Sequence, residues 1–342
     1  MNLTKIAFSV FFLFVFGFSH AQDDLLNELD ADSKEKKEYE IAAFKGLQIC
    51  SMQSTKLAAK GEWYFLVSHR FGDLTDGLDN FFGLDNALTK IGGLYGATNW
   101  LTIGLSRHTL NKNYELTAKY KFANQEVNGF PVTIVGYNTM DINSKLSKDE
   151  FPKLNFSNRF AFSTQLPISR KFSNIFSLEL NPIYIHKNLY EPLFEEKDNF
   201  LLAFGGRYKL SNRISVNMEY AARLNAKETS FYHNPLSIGL DIETGGHVFQ
   251  LVFSNSQAMN DVSYFTNANG INEGKGIYSG PLMVYKSRNK TNYLGSIKGN
   301  WNVEGLCKNG KRLCLGSVTN NEAIITNDLV NIISDNEFEL VG

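Results

Sequence analysis

The feature that most constrains this chain is a period of two. From Ile214 to Asn225, the residues Ile214, Val216, Met218, Tyr220, Ala222 and Leu224 alternate with Ser215, Asn217, Glu219, Ala221, Arg223 and Asn225. Successive side chains of a β-strand point to opposite faces, so this spacing gives one apolar and one polar face and has no helical period. The pattern recurs at Tyr114 to Phe122, where Tyr114, Leu116, Ala118, Tyr120 and Phe122 oppose Glu115, Thr117, Lys119 and Lys121. It recurs again at Leu236 to Glu243, and Phe176 to Asn181 begins likewise with Glu179 and Asn181 on the polar side. The apolar faces are long enough for the roughly 9 to 11 residues with which a tilted strand crosses a bilayer. A soluble sandwich also alternates, with its apolar face turned to a core, so alternation alone leaves both architectures open.

Connection lengths separate them. Strand texture falls near 61–70, 87–97, 100–108, 113–122, 130–141, 157–171, 175–187, 199–210, 214–224, 235–243 and 247–256, with a weak segment at 276–285, about twelve in all. Three tight turns share one pattern: Thr98-Asn99-Trp100, Ser173-Asn174-Ile175 and Ser211-Asn212-Arg213. Asn tolerates the left-handed backbone of a short hairpin, and the preceding Ser or Thr bonds locally to the chain. Counted from an inner start, all three lie on one rim together with Thr244-Gly245-Gly246, while the longer connections near 71–86, 142–156, 188–198, 225–234 and 257–275 lie on the other. Short inner turns and longer outer loops are the arrangement of a transmembrane barrel. The expected fold is therefore all-β, an antiparallel up-and-down transmembrane β-barrel, whose closure also removes the strand edges that hydrocarbon would penalise. Trp63, Tyr95, Trp100, Tyr114, Tyr184 and Tyr208 sit near strand ends, where interface girdles would lie.

Composition agrees. With 43% hydrophobic residues, 13% aromatic ones, a formal net charge of -1 and 3 Cys in 342 residues, the chain is not a disordered, disulfide-framework or basic nucleic-acid-binding sequence. Beyond the N-terminus no stretch of about 18 apolar residues exists, which excludes a bundle of transmembrane helices. At the N-terminus, Lys5, the apolar run Ile6 to Phe18 and Ser19-His20-Ala21 read as a signal peptide cleaved after Ala21. The run is shorter than the ~20 residues of a spanning helix. No Cys follows the cleavage site, which argues against a lipoprotein. The expected organisation is a signal peptide at 1–21, an N-terminal periplasmic segment at 22–59, charged from Asp23 to Tyr39, a barrel at 60–286, and a C-terminal extension at 287–342.

Several of these segments resemble a domain-of-unknown-function family of Gram-negative outer-membrane β-barrels of Bacteroidetes type. The residues that carry the resemblance are Phe44-Lys45-Gly46, Ser68-His69-Arg70-Phe71-Gly72, Phe82-Gly83-Leu84-Asp85-Asn86, Ser169-Arg170-Lys171-Phe172-Ser173, Gly205-Gly206-Arg207-Tyr208-Lys209-Leu210 and Asp241-Ile242-Glu243-Thr244-Gly245-Gly246-His247-Val248-Phe249-Gln250-Leu251. It covers roughly residues 25 to 280 and implies an outer-membrane location, with membrane lipid and the barrel-assembly machinery as partners. It brings no catalytic residue and no substrate. The end of the chain departs from the family, whose members finish soon after the equivalent of Gly276-Ile277-Tyr278 on an aromatic strand. Here Pro281 interrupts that strand, Lys286, Arg288 and Lys290 follow, and the chain runs on to Gly342 with β texture at Tyr293 to Val303, Leu313 to Thr319 and Ala323 to Ile333. Pro cannot donate to the ladder, so the closing strand is expected to be weak, though still seated between the eleventh strand and the first. The tail is either a small appended β unit or a departure from the ancestral reading frame.

The polar faces carry Glu115, Lys119, Lys121, Glu179, Arg207, Lys209, Glu219, Arg223, Asp241 and Glu243, which are the lumen-lining candidates. Both signs are present. Two readings stand: an aqueous path for small polar solutes, with charges setting preference, or an interior salt-bridge network that fills a modest barrel. Whether loop 71–86 folds inward as a plug bears on that choice. His69, His108, His186, His233 and His247 are isolated in sequence and show no metal-ligand spacing, so no metal or cofactor is expected. Ser68 and His69 are adjacent on a strand and point to opposite faces, so they form no nucleophile and base pair, and no catalytic residue is assigned. Cys307 and Cys314 flank Asn309-Gly310, a hairpin turn signal, and read as a small-loop disulfide rather than metal ligands. The expected function is a channel or transporter for small polar solutes, with a non-transporting envelope anchor or scaffold as the alternative.

Overall fold

The computed structural model describes residues 38–244, 247–270 and 276–286, and in the tail the strands at 295–298, 315–319, 322–325, 329–334 and 337–341. The signal peptide, the charged stretch before Glu38, Gly245-Gly246 and the Cys307–Cys314 pairing lie outside the described residues.

Thirteen strands form one antiparallel sheet: β1 (Trp63–Arg70), β2 (Leu88–Gly96), β3 (Leu101–His108), β4 (Asn113–Ala123), β5 (Thr133–Asn143), β6 (Phe160–Gln165), β7 (Ile168–Lys171), β8 (Phe176–Lys187), β9 (Asp198–Lys209), β10 (Ile214–Arg223), β11 (Leu236–Thr244), β12 (His247–Ser254) and β13 (Tyr278–Lys286). Consecutive strands pair with each other except β6 and β7, and β13 returns to pair with β1, which closes the barrel. β6 and β7 both pair with β5 and β8, so they are halves of one strand broken at Leu166-Pro167, and the barrel has twelve strand positions. At the break Leu166 N donates to Pro182 O (3.0 Å) and Val135 N to Pro167 O (3.0 Å), so the backbone groups released by proline find partners.

The strand positions agree with the period-two reading, and so does the sorting of connections. The 97–100, 172–175 and 210–213 turns share one rim with the start of β1, here the inner rim, and the connections 71–87, 144–159, 188–197, 224–235 and the described 255–270 share the other. The short 109–112 turn on the outer rim and the 124–132 loop on the inner one are exceptions. The closing strand seats as expected despite Pro281: Tyr278–Tyr285 pair along the full length of β12, and Leu282–Lys286 pair with Tyr64–Ser68 of β1. At its outer start, Asp73 accepts backbone N–H bonds from Gly276 (2.6 Å) and Ile277 (3.3 Å), which ties the 71–87 loop to the approach to β13.

Burial is inverted relative to a soluble protein. On β8, Phe176, Leu178, Leu180 and Tyr184 are exposed while Ser177, Glu179 and Asn181 are buried. The same holds on β10, where Met218 is exposed and Glu219 is 2% exposed. An apolar outer band with a polar interior suits a chain solvated by lipid. Aromatic residues mark both ends of that band. Trp63, Tyr95, Trp100 and Tyr208 lie at the inner rim, with Trp63 and Tyr95 rings 4.5 Å apart, and Tyr114, Tyr184 and Phe200 lie toward the outer one. Polar side chains on the outer face bond to each other: Tyr120 Oη donates to Asn138 (2.8 Å), and Asn138 Nδ2 to Thr164 (2.8 Å). No described helix is long and apolar enough to cross a membrane; the crossing is made by strands.

In the tail, β14 (Gly295–Lys298), β15 (Leu315–Thr319) and β16 (Glu322–Ile325) form a three-stranded sheet in the order β14-β16-β15, and β17 (Leu329–Ser334) and β18 (Glu337–Val341) form a hairpin.

Candidate functional site

The bore is occupied by the chain itself. Residues 42–58, read from sequence as part of a periplasmic segment, enter at the inner rim, reach the middle of the barrel and return to β1. The segment folds as a narrow hairpin: Ser54 N donates to Leu47 O (3.1 Å), Ile49 N to Met52 O (2.8 Å), and Gln48 bridges Gln53. Its tip, Ile49 to Met52, is buried. Ion pairs fasten the entry: Glu40 to Lys171 (3.0 Å) and Lys45 to Glu243 (2.9 Å), with Arg207 on the other oxygen of Glu243 (3.1 Å).

Wall side chains hold the hairpin by its backbone. The Glu219 carboxylate, on β10, accepts N–H bonds from Cys50 (2.9 Å), Ser51 (2.8 Å) and Met52 (3.0 Å), three consecutive donors turned toward one anion. Lys119, on β4, donates to the carbonyls of Leu47 (2.9 Å), Ser54 (3.0 Å) and Lys56 (3.3 Å). Glu179 accepts from Thr55 N (3.2 Å), and Gln250 bridges Ile49 O (2.5 Å) to Asp241 (2.6 Å). Arg70 Nη2 reaches Ser51 Oγ at 3.1 Å. Two glycines make the room. A Cβ at Gly205 would lie 2.3 Å from Ile49 Cδ1, and one at Gly239 would lie 2.8 Å from Cys50 Sγ.

A second insertion comes from the outer rim. Loop 71–86 was the sequence candidate for a plug, but it stays at the surface, with Leu78 76% and Phe81 59% exposed. The 255–270 connection turns in instead, carrying a short helix, α1 (Asp261–Thr266), whose Val262, Tyr264 and Phe265 are buried. Lys90 donates to Met259 O (3.1 Å) and to Glu115 (2.8 Å), and Glu115 also accepts from Ser106 Oγ (2.9 Å) and Asp261 N (3.1 Å). Tyr264 Oη donates to Glu219 at 2.7 Å, so one carboxylate fastens both insertions.

Of the sequence candidates, Glu115, Lys119, Glu179, Glu219 and Asp241 are buried in the bore, and the first four contact the insertions directly. Arg207 and Glu243 sit together at the inner rim. Lys121 is half-buried at the inner end of β4, away from these groups in sequence order along the strand. Arg223 lies at the outer end of β10 and bonds Tyr232 O (2.9 Å). The sequence reading missed Lys90, Arg70 and Gln250. All three lie on inward positions of strands that carry few other charges, so nothing but the alternation itself marked them.

Above α1, the outer loops surround a cavity of about 380 Å³ lined by Asn111, Asn143, Arg159, Tyr232, Ser263 and Asn267 among others. In its rim, Lys187 pairs with Glu195 at 3.0 Å. Burial works against the charge on Glu195. Lys187 and bonds from Glu191 N and Asn267 outweigh it and hold the carboxyl below the usual range. A carboxylate with a depressed folded pKa contributes stability above its unfolded value, near 4.3, and loses it as pH falls through the lower folded value. Pepsin should therefore leave loop 188–197 intact at about pH 4.5 and cleave it progressively at lower pH, whereas Glu195→Gln should be cleavable at both. Equal protection of the variant would show that the pair does not order the loop.

No curated protein matches the chain. Among solved structures it is similar to the KdgM porin, with a TM-score of 0.42 and 10% identity over 66% of this chain and 99% of that one. It is likewise similar to the NanC porin, at 0.41 and 10% over 66% and 100%, and to an outer membrane channel from Pseudomonas putida F1, at 0.41 and 12% over 68% and 98%. The family described as Membrane bound beta barrel domain (DUF5777) matches residues 44–280, from the entering hairpin to the closing strand, and the chain belongs to that family.

Proposed function

We propose that the protein is an outer-membrane channel for small polar solutes, held closed by its own residues 42–58. The observation that carries this reading is the chemistry of the wall. With the hairpin withdrawn, the inward positions of the strands would present Lys119, Glu179, Glu219 and Asp241 among Ser163, Ser177, Asn181, Ser215 and Asn217. Such a surface is costly against hydrocarbon and comfortable against water. The hairpin is held largely by hydrogen bonds from wall to backbone, which water can replace when it leaves. The membrane lipid covers the outer band, and insertion by the barrel-assembly machinery belongs to the same proposal.

One observation favours the second reading, a filled scaffold. Ile49 and Met52 pack in a cluster with Ile183, Ile185, Leu201, Ala203 and Val252 inside the bore. Withdrawal would expose that patch to water.

Planar-bilayer recording separates the two. The full chain is expected to be nearly silent, and a chain lacking residues 42–58 is expected to give reproducible conductance steps. Because the 255–270 loop also enters the bore, silence both from the shortened chain and from a shortened chain whose residues 259–266 are replaced by glycine and serine, each with folded heat-modifiable migration intact, would establish the scaffold.

A further inference from the structure

We propose that the cavity at the outer rim is a binding site for a neutral, polyhydroxylated solute of one or two sugar-sized rings. The proposal rests on the channel reading only for the step from bound to transported, and on the cavity alone for binding.

Its volume, about 380 Å³, lies in the range of small-molecule sites. The walls come from the outer rim: the outer ends of β2, β4, β5, β6 and β8, the 109–112, 144–159, 188–197 and 224–235 connections and the inward 255–270 loop. Its lining holds seven asparagines, including Asn111, Asn113, Asn143, Asn260 and Asn267. An amide side chain offers two donors and an acceptor, which matches a hydroxyl that both gives and takes a hydrogen bond.

The charges in the lining do not ask for an ionic ligand. Two are basic, Arg159 and Lys187, and two acidic, Asp141 and Glu195. Lys187 already bonds Glu195 (3.0 Å) and Asn267 (3.2 Å), and Asn260 donates to Asp141 at 3.0 Å with Asn113 as a further donor. Arg159 Nη1 bonds Asn143 O at 3.1 Å. An anionic or cationic solute would therefore have to break these pairs. The amides are bonded too, Asn143 Oδ1 accepting from Lys145 N (3.1 Å) and Asn267 Nδ2 donating to Glu195 (2.7 Å), but an amide with two donors and a two-lone-pair acceptor takes a further hydroxyl without giving up such a bond. Leu110, Leu189, Val262 and the Tyr232 ring supply apolar surface for the C–H faces that a sugar ring also presents.

Calorimetric titration of the full chain in detergent tests the site, with maltose and cellobiose as neutral probes, digalacturonate as the acidic one and triglycine as the peptide. Saturable binding is expected for a neutral saccharide, at least tenfold tighter than for digalacturonate or triglycine. Asn143→Leu removes one lining amide at a half-buried position and should weaken binding about tenfold. Ser263→Trp fills the cavity and should abolish binding while the variant keeps its heat-modifiable migration. Absence of saturable binding by both neutral probes, tighter binding of the acidic or peptide probe, or an unchanged Kd in Ser263→Trp would overturn the proposal. Conductance without binding would overturn this inference and spare the channel reading, and binding without conductance in the chain lacking residues 42–58 would do the reverse.

Discussion

Glu219→Ala is expected to free the tip of the inner hairpin while leaving the barrel closed. In the native chain one carboxylate accepts three backbone N–H bonds, from Cys50, Ser51 and Met52, and a fourth bond from Tyr264. Removing it leaves four buried donors without their acceptor. Each such loss costs about 1–3 kcal/mol, so the seated hairpin is disfavoured by several kcal/mol, softened by whatever water enters the space. Cys50 is a built-in reporter, since it is a free thiol, 3% exposed, at the tip itself. Cys50 of the native chain should resist maleimide in detergent, read on its own peptide by mass spectrometry and so apart from Cys307 and Cys314, and in Glu219→Ala it should be labelled at least tenfold faster at unchanged heat-modifiable migration. Glu219→Gln keeps one carbonyl oxygen toward the tip and should fall between them. Protection equal to the native chain in Glu219→Ala would mean that the apolar contacts of Ile49 and Met52 hold the hairpin on their own.

The same carboxylate connects the two rims. Tyr264 reaches Glu219 from α1, and α1 neighbours form the floor of the outer cavity, Val262 and Ser263 among them. Groups that share one acceptor do not contribute additively, so the seating of the hairpin and of the 255–270 loop are coupled free energies. In the labelling experiment Tyr264→Phe should loosen Cys50 by less than Glu219→Ala, and it should add little on top of it.

The barrel was legible in the sequence because membrane strands repeat a physical constraint at every second residue. Tyr114 to Phe122 and Ile214 to Leu224 state the two faces outright, and the three Ser/Thr-Asn turns fix which rim is which. The polar partners of the bore were legible as a class for the same reason, since Glu115, Lys119, Glu179 and Glu219 all occupy inward positions. What fills the bore was not legible. The hairpin at 42–58 has no strand or helix period, because its conformation is dictated by wall residues distant in sequence, as with Glu219 and Cys50, 169 positions apart. Its seat is marked only by missing side chains, at Gly205 and Gly239, and a glycine in a strand carries several other meanings. The sequence raised the question of an inward plug only for loop 71–86, but the deciding features are the partners waiting inside: Lys90 and Glu115 for the 259–261 backbone, and Glu219 for Tyr264.

Gly280→Val is expected to prevent closure of the barrel. The seam between β13 and β1 is the one that joins the two ends of the sheet, and its paired stretch, Tyr64–Ser68 against Leu282–Lys286, is shorter than that of β1 with β2, which runs from Trp63 to Arg70. Pro281 already withholds one donor from β13. Gly280 lies at the outer end of this seam, where a Cβ would come to 1.9 Å from His69 O and 3.0 Å from Arg70 Cα. Both are backbone atoms of β1 and cannot swing aside as a side chain would, so the strands must part. Phe71 N donates to Ser279 O at 2.7 Å beside it, and that bond is lost as they do. Unpaired edges in hydrocarbon cost several kcal/mol per polar group, so partial opening in a bilayer is not a stable compromise. Refolded into lipid, Gly280→Val should lose the fast-migrating band of the closed barrel, and Gly280→Ala should lose most of it. Gly93→Ala on β2 is the control, because a Cβ there has no atom within 4 Å, and it should migrate as the native chain does. A native band at native yield from Gly280→Val would show that β1 and β13 tolerate a spread that the close approach of their backbones argues against.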